Sequence, residues 1–380
     1  MKTFKHHIPT KVVFGRKTFL KIREEIQSLK LNTQSIAIVC GKSAIRNEYI
    51  DYIKKQLPIV EVFDGVPQDP SVETAKEFKK KIASVNPTLI IAIGGGSVLD
   101  LSKVVAGALT NEGEIEEFIG IPECFNNPTI PIVAVPTTSG SGSEVTPYAV
   151  LTNKVEWKKA PVISSYIFPV LSINDPELTI SMPQHITANT GIDALTHCIE
   201  AFVSKRATSI SKLYSMEGIK LIRKYLPKAY GNPKDIEARE KVMLGSLLGG
   251  MAITDAGAGL VHTLAHILGV IYDVPHGLAI AMFLVPVLKF YGLAAEKEIV
   301  EIGEVFGIKT ENTETVLSEI ETFLKFLGKP DNLSFFGVSE QNIGNFVSIA
   351  MAKRFLMGNL PKIPTEKDIR VIVKNLINSP

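Results

Sequence analysis

Residues 89–106 read LIIAIGGGSVLDLSKVVA, and the change of character at Gly94 decides the fold. Leu89 to Ile93 are apolar without alternation, as in a strand covered on both faces of a parallel sheet. Three glycines follow, then a segment with helical periodicity expected to begin at Ser97. Lacking Cβ atoms, Gly94, Gly95 and Gly96 let backbone N–H groups come close to a ligand, and the helix N-terminus behind them favours a phosphate. Triple glycine alone fits a bare strand-to-helix turn equally well. Asp100, three residues after Ser97, stands where a capping box places its acid and is read as a structural cap.

A second loop strengthens the phosphate reading. VPTTSGSGSEVTP, 135–147, follows the next strand candidate, TIPIVAVPTT at 129–138, and supplies small hydroxyls and glycines. Two such loops after successive strands resemble a nucleotide cleft at the carboxyl ends of a sheet. Further apolar runs, SIAIVC at 35–40 and IVEVF at 59–63, alternate with amphipathic segments such as SVETAKEFKKKIASV. After SIAIVC come Gly41, Lys42 and Ser43. A carboxylate at that strand end commonly binds the adenosine ribose and repels a 2′-phosphate; its absence beside a cation and a hydroxyl favours NADP over NAD. A lone lysine such as Lys42 otherwise points to solvent.

Beyond Pro183 the pattern becomes helical, with ITANTGIDALTHCIEAFVS, ISKLYSMEGIKLIRKYL and AREKVMLGSLLGGMAI in succession. The expected fold is an α/β dinucleotide-binding domain over 1–183 with a Rossmann-like parallel sheet, followed by an all-α domain over 184–380. A chain of 380 residues, 45% of them hydrophobic, can bury two cores.

The 41 basic and 39 acidic residues nearly cancel, so no strong field draws in nucleic acid or an anionic membrane, and a small-molecule partner is expected. Cys40, Cys124 and Cys198 form no CxxC pair, which excludes a thiolate zinc ribbon and fits reduced thiols. The N-terminal MKTFKHHIPTKVVFG lacks the apolar core of a signal peptide. The apolar run LAIAMFLVPVL at 278–288 is too short to span a bilayer. The chain is therefore expected to be soluble and cytoplasmic.

Asp193 and His197 lie four residues apart in TGIDALTHCIEAF, on one face of a helix. His262 and His266 repeat that spacing in GLVHTLAHILGVIYDVPHG, 259–277, and His276 follows a break around Asp273 to Pro275. One carboxylate and three imidazoles can hold a divalent first-row metal and leave a position for substrate. Either short motif alone also fits a hydrogen-bonded pair or a solvated face. Together they place imidazoles on otherwise apolar helices, where each needs a partner to offset desolvation. His6, His7 and His185 have no such setting. Cys198, next to His197, points elsewhere on the helix and is read as a packed thiol.

The stretch LSINDPELTISMPQHITANTGIDALTHCIEAF at 171–202 and the histidine spacing of 259–277 resemble the signatures of the iron-containing, group III alcohol dehydrogenases. GGGSVLD and PTTSGSGSEVT resemble that family's cofactor loops, and the resemblance runs from VVFG at 12–15 to the C-terminal helices. It implies a dehydroquinate synthase-like architecture, a homodimer, and metal ligation by Asp193, His197, His262 and His276. His266 is implied as a non-ligand histidine facing the nicotinamide and substrate cleft. The cofactor-binding set becomes Gly41, Ser43, Gly95, Gly96, Ser97, Thr137, Thr138, Ser141, Lys159 and Leu178. Trp157, near Lys159, either covers the cofactor or packs against the surface. Three departures stand out: Gly41 where NAD-preferring members carry Asp, Asp69 where many have Asn, and Ile253 in place of an aromatic near the substrate.

The implied reaction moves a hydride between a small primary alcohol or diol and NADP(H), with the alkoxide on Fe(II); Zn(II) is the alternative metal. His266 would relay the proton or only shape the pocket. A zinc-dependent glycerol or polyol dehydrogenase using NAD usually has fewer protein ligands. A dehydroquinate synthase-like lyase should carry several Lys and Arg for its anionic substrate, and residues 245–280 contain neither. A nucleotide-binding protein with structural histidines would bind no metal and form no NADPH from alcohols.

Overall fold

The computed structural model describes residues 3–57, 60–153, 158–354 and 357–378. Trp157 and Ile59 lie outside them. The chain forms two compact units, His7–Ser181 and Met182–Pro380, the second joined by Met1–His6.

The first unit contains β1 (Lys11–Phe14), β2 (Ile36–Cys40), β3 (Val60–Phe63), β4 (Leu89–Gly94), β5 (Ile132–Pro136), β6 (Tyr148–Asn153), β7 (Lys158–Ile163) and β8 (Leu171–Asn174). Its helices are α1 (Ile22–Ser28), α2 (Lys42–Arg46), α3 (Tyr49–Gln56), α4 (Val72–Ala83), α5 (Gly96–Ala108) and α6 (Ile115–Phe118). Six strands pair in parallel in the order β1-β8-β5-β4-β2-β3, so the Rossmann-like expectation is met. The unbroken apolar runs have a direct cause. Ala37, Val39, Ile90 and Ala92 face Phe78 of α4 and Leu101, Val104 and Val105 of α5. Their alternates Ile36, Ile38, Cys40, Ile91 and Ile93 pack with Ile22 and Ile26 of α1 and Ile50 and Ile53 of α3. Both faces are core, so alternation disappears from the sequence. β6 and β7 form a separate antiparallel hairpin that the sequence expectation lacks, as it lacks β1 and β8.

The second unit has no strand among its described residues, and its α-helices are α7 (Gln184–Val203), α8 (Ser209–Gly231), α9 (Ile236–Ala256), α10 (Leu260–Tyr272), α11 (His276–Tyr291), α12 (Glu296–Val305), α13 (Thr313–Phe326), α14 (Ile343–Ala352) and α15 (Glu366–Ile377). α7, α10 and α11 contribute heavily to one continuous apolar core. The run at 278–288 is part of a longer helical segment, 276–294, that by length and composition could cross a membrane. Here its apolarity has another use, since Ala279 to Leu284, Val287 and Leu288 are all buried in that core. At the other end of the chain, His6 places Nδ1 2.9 Å from Oδ2 of Asp255, with its ring beside Tyr214.

Candidate functional site

In the first unit, three loops follow three adjacent strands. Gly41 is the N-cap of α2 after β2, with Ser43 in the helix; Gly95 is the N-cap of α5 after β4; Thr137 follows β5. From β2 the chain runs outward to β3, then returns to β4 on the other side of β2. That reversal is the switch point beside which open parallel sheets bind ligands. The glycine turn and the second loop touch. Thr137 N–H donates to the Gly94 carbonyl at 3.0 Å. A Cβ on Gly95 would lie 3.1 Å from Thr138, and one on Gly96 2.8 Å from Oγ of Ser141. Ser97 Oγ accepts the Asp69 N–H at 3.1 Å, and the Asp69 carboxylate pairs with the buried Lys159 at 2.5 Å. Asp69, the departure from the family pattern, thus draws Lys159 to the head of α5. Leu178 lies in the short 3-10 turn Pro176–Thr179 and lines a cavity of about 610 Å³ with Phe19, Tyr49 and Tyr52.

Asp100 corrects an expectation. α5 begins at Gly96, not Ser97, and its N-cap Gly95 receives no side-chain bond. The N-cap lies two residues before Ser97, which carries residue 100 past the free N–H groups of the first turn. Its carboxylate instead accepts from Ser143 Oγ at 2.6 Å and Val150 N–H at 2.9 Å. Lys103, one turn on and fully buried, donates to the carbonyls of Thr146 and Tyr148 at 2.8 and 2.9 Å. Burial pulls its pKa down to about 8 against the pull of Asp100 and Glu144. Asp100 and Lys103 therefore fasten the second loop to the helix rather than cap it.

In the second unit, Asp193 and His197 stand one turn apart on α7, His262 lies in the first turn of α10, and His276 is the first residue of α11. α10 ends at Tyr272, and Asp273, at φ 54°, turns the chain before α11 begins. Around Oδ1 of Asp193 converge Nε2 of His262 at 3.3 Å, of His197 at 3.7 Å and of His276 at 3.8 Å. Asp193, His262 and His276 offer donor atoms all within 4.8 Å of one another. His197 stacks face to face on His262, ring centroids 4.4 Å apart. His266 is not among the converging donors; its ring stacks on His276 at 5.2 Å and meets His262 edge-on.

The electrostatics fit a cation. Burial opposes ionisation of Asp193, yet the three imidazoles outweigh it and hold the carboxyl well below the usual carboxylate range. Burial likewise opposes the His262 imidazolium, but Glu200 and Asp193 raise its pKa to about 9. One carboxylate and three imidazoles crowded in an apolar core take up protons or a metal. Mixed oxygen and nitrogen donors are those that divalent first-row metals accept. Cys198 stays apart, its thiol buried toward the Gly245 carbonyl and pushed up to about 12 by burial.

Glu200 is the residue that sequence reasoning missed. It lies 2% exposed on α7 and accepts the N–H of Gly259 at 2.8 Å and of Val261 at 2.7 Å; Nδ1 of His262 lies 2.6 Å from its Oε2. A signal existed, because positions 193, 197 and 200 follow i, i+4, i+7 on one helix face.

The iron-containing alcohol dehydrogenase family model matches residues 9–176, and the C-terminal model of the Fe-containing alcohol dehydrogenase family matches 187–377. The chain belongs to the iron-containing alcohol dehydrogenase family and is an oxidoreductase of that family acting on small molecules. It is 33% identical to a 1,3-propanediol dehydrogenase of Klebsiella pneumoniae over 98% of each chain. It is also 33% identical to an NAD-dependent methanol dehydrogenase of Bacillus methanolicus over 84% of each. The solved structure of a 1,3-propanediol oxidoreductase superposes with a TM-score of 0.92 at 32% identity, covering 99% of this chain and all of the other.

Proposed function

We propose that this chain interconverts a small primary alcohol or diol and its aldehyde using NADP(H), with Fe(II), or alternatively Zn(II), held by Asp193, His197, His262 and His276. The observation that carries the reading is the convergence of three Nε2 atoms on one buried carboxylate oxygen. Held by these residues, a metal would supply Lewis-acid polarisation of the alcohol or carbonyl oxygen, and a bound NADP(H) would supply the hydride chemistry. Asp193 contributes the one negative charge of the donor set, and the apolar packing of α7, α10 and α11 keeps water from competing. His266, partly exposed and stacked on His276, carries the substrate hydroxyl proton toward solvent. The N–H groups at Gly95, Gly96 and Ser97 cradle the pyrophosphate. Gly41, Ser43, Thr137, Thr138, Ser141, Lys159 and Leu178 supply the remaining cofactor contacts.

The NADP(H) preference rests on Gly41, which offers no carboxylate to repel a 2′-phosphate. A second reading, NAD(H), is favoured by the NAD-dependent relative. The test is anaerobic purification with metal analysis, then a short-chain alcohol, diol and aldehyde panel run with both cofactors. Metal-free protein without alcohol-dependent NAD(P)H formation overturns the enzyme reading; clear NAD(H) preference overturns the reading of Gly41. A homodimer acting in the cytoplasm completes the proposal, and sedimentation tests the assembly.

A further inference from the structure

We propose that Glu200 is the positioning residue of the metal centre: it fixes which nitrogen of His262 faces Asp193 and, in the same act, docks the first turn of α10 onto α7. This rests on the metal reading above.

A helix leaves its first N–H groups without internal partners, and a side chain at the N-cap ordinarily satisfies them. The N-cap of α10 is Gly259, which has no side chain to offer. Glu200 does the work from another helix, taking the N–H of Gly259 on Oε2 and that of Val261 on Oε1. The space a residue at 259 would fill is already occupied, since a Cβ there would lie 2.6 Å from Oε1. The buried carboxylate and the glycine are complementary parts of one joint.

The same joint dictates the imidazole. Oε2 of Glu200 lies 2.6 Å from Nδ1 of His262, while Nε2 points to Asp193 at 3.3 Å. An ionised carboxylate only accepts hydrogen bonds. Nδ1 must therefore carry a proton, so Nε2, the nitrogen that faces the other donors, is the one left to exchange its proton for a metal. A carboxylate behind a ligand imidazole also increases its basicity. Because Asp193, His197 and Glu200 share one face of α7, a single helix holds two direct donors and the support of a third.

Glutamine at 200 separates these roles. If its oxygen takes the Oε2 position, its amide NH₂ faces the Val261 N–H, donor against donor. If it flips, the NH₂ faces Nδ1 and selects the tautomer with the proton on Nε2, which cannot ligate. Either way the charge behind His262 is gone.

The experiment uses the full chain stripped of metal. Zn(II) is titrated at fixed pH against a chromophoric chelator for the parent and Glu200→Gln proteins, with the melting temperature of each metal-free form recorded. The expected result is Zn(II) affinity weaker by about 10- to 100-fold in the variant, well beyond any change in metal-free stability. Unchanged Zn(II) affinity with a lowered melting temperature makes Glu200 a helix cap only and overturns the proposal. A parent chain that takes up no stoichiometric Zn(II) overturns the metal reading itself, a different failure seen in the control arm. Nitrogen-15 NMR of the Zn(II)-loaded parent needs no variant: His262 should carry its proton on Nδ1 and the metal on Nε2, and the reverse assignment refutes the proposal even if Glu200→Gln does not fold.

Discussion

The glycine turn of the first unit and the histidine cluster of the second are built from opposite materials. At Gly94 to Ser97 the groups proposed to hold a ligand are main-chain N–H groups, and the side chains matter by being missing. At Asp193, His197, His262 and His276 the groups proposed to ligate are side chains, and the main chain matters only as the rigid helices that aim them. The first site is contiguous in sequence and closes against one neighbouring loop. The second draws on three helices and exists only when their packing is correct. Backbone sites should thus be hurt by adding atoms, and side-chain sites by removing a donor.

The largest effect is expected from Asp193→Asn, which removes the only anion among the converging donors. kcat/KM should fall by at least about 1,000-fold, several kcal/mol of lost polarisation, with loss of bound metal and unchanged cofactor affinity by fluorescence titration. An Asp193→Asn protein that keeps its metal and its rate breaks the comparison. Gly96→Ala is the mirror experiment. Its new Cβ would lie 2.8 Å from Oγ of Ser141, so the second loop must shift. Cofactor binding should weaken about tenfold, roughly 1.4 kcal/mol, with metal content untouched.

Gly41→Asp sharpens the backbone side by adding a charge. The ratio of kcat/KM with NADP(H) to that with NAD(H) should fall by about 10-fold or more; an unmoved ratio means the 2′-phosphate is read elsewhere. The smallest effect belongs to the metal-free cluster. His262 is held near a pKa of about 9 against an ordinary 6.5. Its contribution to stability is fully present below pH 6.5 and disappears as pH rises through 9. The melting temperature of chelator-stripped protein should therefore drift down across that window, by scanning calorimetry. With metal bound the proton is already displaced, so the drift should vanish.

The contrast also explains what could be read in advance. β2, β4 and β5 announced themselves because both faces are buried, and the glycines and hydroxyls lie beside the strands they follow. β1 and β8 have four residues each, no fewer than β3, and they differ from it in standing outside the run of strands that alternate with amphipathic segments. The paired β6 and β7 depend on a partner strand that local sequence does not reveal. Asp100 was misplaced because the N-cap is Gly95 rather than Ser97, and two residues are enough to move a side chain from the end of a helix to its flank. The four candidate ligands were visible as polar residues on apolar helices. Glu200 shares their face of α7 at i+7, but a glutamate is ordinarily solvated, and only the arrival of α10 explains its burial. Sequence exposes a polar residue that breaks an apolar pattern; it hides which residue on another helix will meet it.

The fastening of His6 to Asp255 has a topological consequence. Because residues 1–6 belong with 182–380 while 7–181 form the other unit, the polypeptide passes from one unit to the other twice, near residue 6 and near residue 181. The second unit is thus assembled from two pieces of chain that are remote in sequence. A cut at the later passage would leave fragment 1–181 still carrying a short strap for its counterpart, raising the effective concentration for reassociation.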